Sequence, residues 1–446
     1  MAEVSVYIET HGCQMNEADT ARAATRLRAA GYRLTAEPAA ADVVLFNTCS
    51  VRARAEQKVF HRIREVRRGA GAKEQLVGVL GCVAQLEGAT LFDSSARIDL
   101  VVGTRATDRL PALIDAARAG AKGVVDLAAR GPEDSWAVEH TARRSPHVAF
   151  VPIIEGCNKF CTYCIVPYSR GREQSRPAAE IVAEIEDLAR HGYKEVQLIG
   201  QNVNSYRPKT EAGLADFPGA TPFARLLRAC AATGLPRIKY TTSFPRDFHT
   251  DIVAAMDEHE NLCDWIHLPV QSGSDRVLRA MRRGYKAADY LARVAAVKGA
   301  RRRYALTTDI IVGFPGETRA DFAETLGLVE RCEFDSIYIF KYSERPGTPA
   351  AKLSDDVSEQ EKTARFRELE ALQMGIQRRV YESYVGRTIS VLVEGVSARA
   401  ARDVTGHTTC HKVVNFAGGR ELLGEIVSVR ITEAKAHSLY GELVGV

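Results

Sequence analysis

Long apolar runs are missing from this sequence. No stretch approaches the roughly 20 residues that a membrane helix needs. The opening MAEVSVYIETHG also lacks the basic region and apolar run of an export signal. The default expectation is a cytoplasmic chain with no membrane association. Aromatics are scarce at 7%, with only two tryptophans, so no broad base-stacking platform is on offer. Charge of one sign is wanting too. A net +4 over 446 residues does not by itself argue for nucleic acid. Internal repeats and low-complexity tracts are absent, which excludes a solenoid or a disordered tail.

What is present is a globular composition, 46% hydrophobic and 26% charged. At roughly 100–200 residues per domain it suits two to four domains. The unusual feature is ten cysteines. In a reducing compartment so many thiols point to metal or catalysis rather than disulfides.

Residues 1–128 alternate strand and helix. VSVYIET, DVVLFNTC, QLVGVLGC and LVVGT are short β-branched runs separated by helical stretches such as ADTARAATRLRAAGY. This predicts a parallel sheet with helices on its faces. Residues 129–146 are polar and punctuated by glycine and proline, and read as a linker. Residues 147–382 hold six strand candidates: HVAFVPII, EVQLIG, RIKYTTS, WIHLPVQ, ALTTDIIVG and FDSIYIFKYS. With helices between them they suit a partial (β/α)6 barrel rather than the full eight, closed by a long helix from about Glu359 to Glu382. Residues 383–446 carry TISVLVEGV, HKVVNFAG, GEIVSVRITEA and LYGELVGV, short strands with glycine turns, and predict a small all-β barrel. The expected fold class is α/β multidomain.

Cys157, Cys161 and Cys164 form C-x3-C-x2-C directly after the first strand candidate of the barrel. That places three soft thiolates where such barrels keep their chemistry. Structural zinc would need a fourth ligand, for which His147 or His191 could fold back. A four-iron cluster held by three thiolates keeps one iron open for a ligand. Cys13, Cys49 and Cys82 are 36 and 33 residues apart, with no local metal spacing. Taken singly each reads as a buried apolar cysteine. Yet each ends a predicted parallel strand, where ligands of α/β sheets gather, so together they could hold a second cluster. Cys230, Cys263, Cys332 and Cys410 have no such context. The stretch Val51–Gly69 carries seven Lys/Arg against two Glu. It is either a phosphate grip or a solvated face.

The triplet resembles the radical S-adenosylmethionine superfamily. The motifs GCQMN, NTCSVR, GC-x-AQ and LPVQSGS resemble its methylthiotransferases, and specifically the branch acting on isopentenylated adenosine in tRNA (MiaB-like). The resemblance implies two [4Fe-4S] clusters, one on Cys157, Cys161 and Cys164 and one on Cys13, Cys49 and Cys82. It also implies S-adenosylmethionine contacts at Tyr163, before the third cysteine, and at strand ends: Gln201 and Asn202, Gln271 and Ser272, then Asp309, Gly313 and Glu317. Each of these strand-end residues also reads as an ordinary turn. The implied chemistry uses two S-adenosylmethionine molecules, one to methylate sulfur on the N-terminal cluster and one cleaved to a radical that takes hydrogen from carbon 2 of the adenine. That C–H is too weakly acidic for base catalysis, which is a physical reason for a radical.

The implied partners are the anticodon stem-loop of tRNA, an electron donor such as flavodoxin or ferredoxin, and an iron–sulfur or sulfur donor, with the enzyme acting as a monomer. The tail resembles a TRAM domain of the oligonucleotide-binding kind. It departs from that pattern at Gly406-His407-Thr408, where Arg or Lys is usual in the middle, and at Cys410, where Asn is common. Phe244 stands where the branch commonly has His. Substrates of sibling branches, or a zinc-bound RNA-binding protein without catalysis, are the competing readings.

Overall fold

Runs of β-branched residues become six parallel strands at the front of the chain: β1 (Ser5–His11), β2 (Arg33–Leu34), β3 (Val43–Thr48), β4 (Leu76–Gly81), β5 (Leu100–Val102) and β6 (Val124–Asp126). Their order is β2-β1-β3-β4-β5-β6. The computed structural model describes residues 3–50, 53–69, 74–94, 96–131, 134–397 and 402–444. It divides into two compact units: Met1–Pro146 with Phe150–Asn158 and Ile165–Gln174, and His147–Ala149 with Lys159–Cys164 and Ser175–Val446.

In the first unit, helices α1 (Gln14–Ala29), α2 (Ala53–Gly69), α3 (Cys82–Glu87) and α4 (Leu110–Arg118) join the strands. Central β3 is buried throughout because both sheet faces are covered. Val44, Phe46, Val77 and Val79 pack with Ile63 and Val66 of α2 on one side. Val43, Leu45 and Leu100 pack with Leu27 of α1 and Ile114 of α4 on the other. Double burial is why these strands read as continuous apolar runs. The short edge strands β2 and β6 carry no such run and were not expected. The strand order reverses between β1 and β3, and that crevice is where open α/β sheets bind ligands. Residues 129–146 belong to this unit. There the Arg130 guanidinium lies over Trp136 and reaches Glu155 at 3.1 Å.

Next along the chain come β7 (Val148–Pro152) and a short pair, β8 (Ile154–Glu155) and β9 (Gln174–Ser175). The second unit is built on β10 (Glu195–Ile199), β11 (Arg237–Tyr240), β12 (Trp265–His267), β13 (Ala305–Val312) and β14 (Ser336–Lys341). The sheets run β11-β10-β7 and β12-β13-β14, and a parallel bridge from Ile238 to Leu262 links them. Helices α5 (Val166–Ser169), α6 (Ala178–Arg190), α7 (Pro222–Ala231), α8 (Thr250–Glu258), α9 (Asp275–Ala280), α10 (Ala287–Lys298), α11 (Arg319–Cys332) and α12 (Glu359–Glu382) complete the strand–helix alternation. This is the expected partial barrel. α12 starts where Ser358 Oγ accepts the Glu361 N–H at 3.2 Å, an N-cap with acidic residues in the first turn.

The tail closes as a five-stranded barrel in the order β15-β16-β17-β19-β18: β15 (Thr388–Val396), β16 (Asp403–Thr408), β17 (Val413–Ala417), β18 (Ile426–Ala434) and β19 (Leu439–Leu443). Strand β16 was missed because DVTGHT has a single large apolar residue. The β16–β17 connection seals the N-terminal end of the half-barrel strands. His407 Nε2 lies 2.8 Å from Glu195 Oε2, at the start of β10, and its Nδ1 lies 2.7 Å from Glu394 Oε2. Lys412 Nζ donates to Asp335 at 2.6 Å, Thr409 Oγ1 to Asp264 at 2.7 Å, and Arg237 to the His407 carbonyl at 2.9 Å. Burial opposes charge on His407, but Glu195 and Glu394 overcome it and hold the imidazole at a pKa of about 9. Burial likewise raises Glu195, and His407 overcomes it and brings the carboxyl to about 2. The departures at His407 and Cys410 therefore fall in a docking interface within the protein.

Candidate active site and cysteine centres

The three dispersed cysteines gather beside the reversal of the first sheet. Cys13 follows β1, Cys49 follows the adjacent β3, and Cys82 opens α3 after β4. Cys49 and Cys82 are buried and Cys13 is exposed, and none of the ten cysteines is in a disulfide. The motif residues around them explain the convergence. Asn16 of GCQMN donates to Asn47 Oδ1 and to the Thr48 carbonyl, both at 3.0 Å, and Asn47 of NTC answers by donating to the Asn16 carbonyl at 2.8 Å. This buried amide pair fastens the start of α1 to the end of β3. A Cβ at Gly12 would stand 2.9 Å from Cys49 Cβ, so the close approach demands glycine. Gln85 of GC-x-AQ donates to the Leu127 carbonyl and accepts from Thr104 N, each at 3.2 Å, which fixes α3 behind Cys82.

The Cys13 thiol is acidified to about 6. Its hydrogen bond with Cys49 is the main cause; desolvation of the sulfur by the surrounding chain opposes it, although the residue as a whole is exposed, and the Arg170 charge and the N–H groups of Asn16 and Met15 add to it. Burial pushes the Cys82 thiol up, with Arg170 pulling the other way. Arg170 is itself buried and braced by Asp19 at 2.7 Å and Glu155 at 3.3 Å. Three thiols, one already acidic and beside a fixed guanidinium, are a donor set suited to an iron–sulfur cluster.

The boundary between the units passes through the triplet loop, with Cys157 in the first and Cys161 and Cys164 in the second. In the first unit, Cys157 N–H donates to the Gly171 carbonyl at 3.0 Å. In the second, Thr162 donates from its backbone to the Met281 carbonyl at 3.1 Å and from its hydroxyl to the Ala280 carbonyl at 2.9 Å, while Ala350 donates to the Thr162 carbonyl at 2.8 Å. Lys159 is paired with Asp247 at 2.5 Å. Burial raises that carboxyl, but the hydrogen bonds of Lys159, Ser205 and Arg246 bring it to about 2. Of the two histidines weighed as zinc ligands, His147 lies against Gly424 and His191 Nδ1 meets the Asp187 carbonyl at 2.8 Å.

Most of the other candidates lie in loops that follow strands of the second unit, but Asp309, expected at a strand end, lies within β13 and pairs with Tyr338 in the ladder. Tyr163 packs with Ile311 around Val277, Met281 and Phe314. Gln201 and Asn202 follow β10, the first part-exposed and the second buried. Gln271 follows β12 at φ +78°, a left-handed conformation costly for a non-glycine residue. It is held by its N–H to the Asp309 carbonyl at 2.8 Å and by its own carbonyl, which accepts from Ile311 N at 3.0 Å. Phe160 and Thr242 are left-handed as well. Asp309 is part-exposed, with Oδ1 3.4 Å from His267 Nε2. Ser272 and Glu317 are fully engaged by the protein. Ser272 Oγ meets Thr325 at 3.3 Å and Ser274 N at 3.2 Å. Glu317 accepts from Gly313 N at 2.6 Å and Arg365 at 2.7 Å. They shape the loop. Gly313 sits at φ +71°, where a Cβ would run into Lys362.

Sequence reasoning missed Arg283. Its guanidinium is buried, donating to Cys161 Sγ at 3.4 Å, Tyr163 Oη at 3.3 Å, Tyr285 Oη at 3.0 Å and the Pro269 carbonyl at 2.7 Å. It also lies 4.5 Å from the centre of the Phe244 ring, so phenylalanine supplies a π face here. The signal was the adjacent pair in MRRGY. Arg170, in YSRG, gave no such signal. In the basic stretch, Arg62 pairs with Glu9 at 3.1 Å and Arg67 with Asp99 at 3.0 Å. Val51, Arg52 and the side chains of 53–58 lie outside the described residues.

Comparison with known proteins matches residues 5–103 to a family described as uncharacterized protein family UPF0004, residues 151–329 to the radical SAM superfamily, and residues 382–444 to the TRAM domain. The tRNA-2-methylthio-N(6)-dimethylallyladenosine synthase of Solibacter usitatus is 46% identical over 441 residues, covering 98% of this chain and 97% of that one. The protein of that name from Koribacter versatilis is 44% identical over 444 residues, covering 98% of each. Among solved structures, the radical S-adenosylmethionine methyltransferase TsrM from Kitasatospora setae superposes with a TM-score of 0.58 at 15% identity, over 80% of this chain and 76% of that one. That likeness is one of fold.

Proposed function

Since the chain belongs to the family of tRNA-2-methylthio-N(6)-dimethylallyladenosine synthases, radical S-adenosylmethionine enzymes, we propose that it converts dimethylallyladenosine at position 37 of tRNA to its 2-methylthio derivative through two cysteine-held iron–sulfur centres. The observation that carries this reading is the convergence of Cys13, Cys49 and Cys82 beside a buried Arg170. A barrel that only cleaves S-adenosylmethionine has no use for a second thiolate trio.

We assign the auxiliary centre to residues 1–128, with 129–146 as the connection. Cofactor cleavage falls to 147–382, and 383–446 is the TRAM domain. Cys157, Cys161 and Cys164 would hold one cluster and Cys13, Cys49 and Cys82 the other. When bound, these groups and S-adenosylmethionine supply the electron, the radical and the methylthio sulfur. The chain's own residues bind and orient. Gln201, Asn202, Gln271 and Asp309 offer polar atoms to the amino-acid end and ribose of S-adenosylmethionine, with Tyr163 beside its adenine. Ser272, Gly313 and Glu317 set the loops that present them. Arg283 fixes the ring of Tyr163 against Cys161 and places a positive charge beside that sulfur, while Arg170 does the equivalent for Cys82 and Cys13. RNA contact by the tail would use surfaces other than the His407–Lys412 segment, which is spent on docking. The reading carries with it an electron donor such as flavodoxin or ferredoxin, a sulfur donor, and monomeric action in the cytoplasm. Among the described residues no helix is long and apolar enough to cross a membrane.

The test is mass spectrometry of tRNA nucleosides from cells with and without the gene. The 2-methylthio nucleoside disappears and its prenylated precursor accumulates on deletion. An unchanged nucleoside overturns the substrate, and purified protein with about four irons instead of about eight overturns the second centre.

A further inference from the structure

Strand β14, SIYIFK, is apolar on both faces, so its sequence does not say which face is spent on packing. Lys341 decides it. Its Nζ donates to Thr363 Oγ1 on α12 at 2.7 Å, which turns the odd-numbered face toward the outer helix. Because side chains alternate along a strand, Tyr338 and Phe340 take the opposite, concave face. In the parallel register Tyr338 is the partner of Asp309 and Phe340 of Ile311. The His267 ring meets Tyr338 edge-on, 5.8 Å between centroids, and approaches Asp309 from the other side. Ile311 shares its packing cluster with Tyr163, the residue just before the third triplet cysteine. The aromatic pair is therefore continuous with the strand-end site. Yet Tyr338 is 50% and Phe340 40% exposed, a costly way to leave two large rings on the inner face of a sheet unless something apolar covers them.

The geometry points to Tyr338 and Phe340 as the wall on which the five-carbon substituent of the substrate adenosine rests, and so as the residues that separate prenylated from plain adenosine. This deepens the functional reading above and rests on it. The substituent has no hydrogen-bonding group, so only apolar contact can recognise it, and the two rings supply that contact beside Asp309, the one charged group of this row. Differences of a few methylenes in an apolar site are worth about tenfold or more in discrimination.

The experiment compares binding of two synthetic anticodon stem-loops, one with isopentenyl adenosine and one with plain adenosine, to the full chain reconstituted with iron and sulfide. Wild type prefers the prenylated RNA by about tenfold or more. Tyr338→Ser with Phe340→Ser brings the ratio close to one. Tyr338→Phe with Phe340→Leu keeps it, because the wall needs apolar area and no hydroxyl. Iron content and melting temperature equal to wild type verify folding. A serine pair that keeps the full preference, or weakens both RNAs equally, overturns the wall. So does a wild type that methylthiolates the prenylated RNA without preferring it. A wild type that neither prefers the prenylated RNA nor methylthiolates it overturns the functional reading, and the wall falls with it.

Discussion

The two ends of the half-barrel use the same strands in opposite ways. At the N-terminal end charged side chains of the strands are paired with the tail. Glu195 faces His407, Asp335 faces Lys412, Asp264 faces Thr409, and Arg237 reaches the tail backbone. From mid-strand to the C-terminal end the chain leaves Asp309, Tyr338 and Phe340 part-open and holds Gln271 and Thr242 in left-handed backbone. One end is built for stability, and the other retains strain and open surface that ligand contacts can use.

The contrast breaks hardest at the open end. Cys157→Ala eliminates deoxyadenosine formation while the N-terminal centre still loads. Chromatography of the cleavage products together with iron analysis checks this, and persistent deoxyadenosine refutes the triplet's role. At the sealed end the effect is on stability. Lys412→Met strands Asp335 in the interface and costs about 3–5 kcal/mol in denaturant unfolding, with cofactor cleavage per folded molecule unchanged. Loss of cleavage in folded Lys412→Met protein would mean that the two ends are not separable.

A pH series sharpens the same point. His407 is raised from about 6.5 to about 9 on folding. Its contribution is full below pH 6.5 and declines as pH rises toward 9. Burial lowers Lys239 to about 8, so above pH 8 its release of a proton offsets the decline. The window for His407 is pH 6.5 to 8, where its own contribution falls by about 2 kcal/mol, while the acidified Cys13 thiol adds an opposite slope that every variant shares. Glu195 stays ionised across that window, and His411 stays neutral because burial, Lys239 and His407 hold it near 2. The melting-temperature advantage of wild type over His407→Gln therefore shrinks steadily across that window, and an advantage independent of pH would refute the ion pair. The smallest effect belongs to neither end: Ser358→Ala uncaps α12 for about 1 kcal/mol, read by thermal unfolding.

Strands were legible where burial on both faces wrote an uninterrupted apolar run, as in β3 and β13. They were illegible where a strand is held by its barrel neighbours instead, as in β16, or is only two or three residues long, as in β2 and β6. The cysteines were legible because thiols cluster for few reasons. Arg283, Arg170 and the Asn16–Asn47 pair were not, since the partners that give them meaning lie far off in sequence: Cys161 is 122 residues from Arg283, and Asn47 is 31 from Asn16. Strand β14 was seen, but its open face depended on which side α12 covers.

The plug at the sealed end also has a direction in time. Glu195 leaves the ribosome some two hundred residues before His407, an interval on the order of ten to forty seconds at ordinary elongation rates. Asp335 waits for Lys412 in the same way. During that interval the half-barrel carries carboxylates at its base whose partners do not yet exist. Closure of its base therefore waits until β16 has emerged, and a message cut short before β16 yields a half-barrel without that seal.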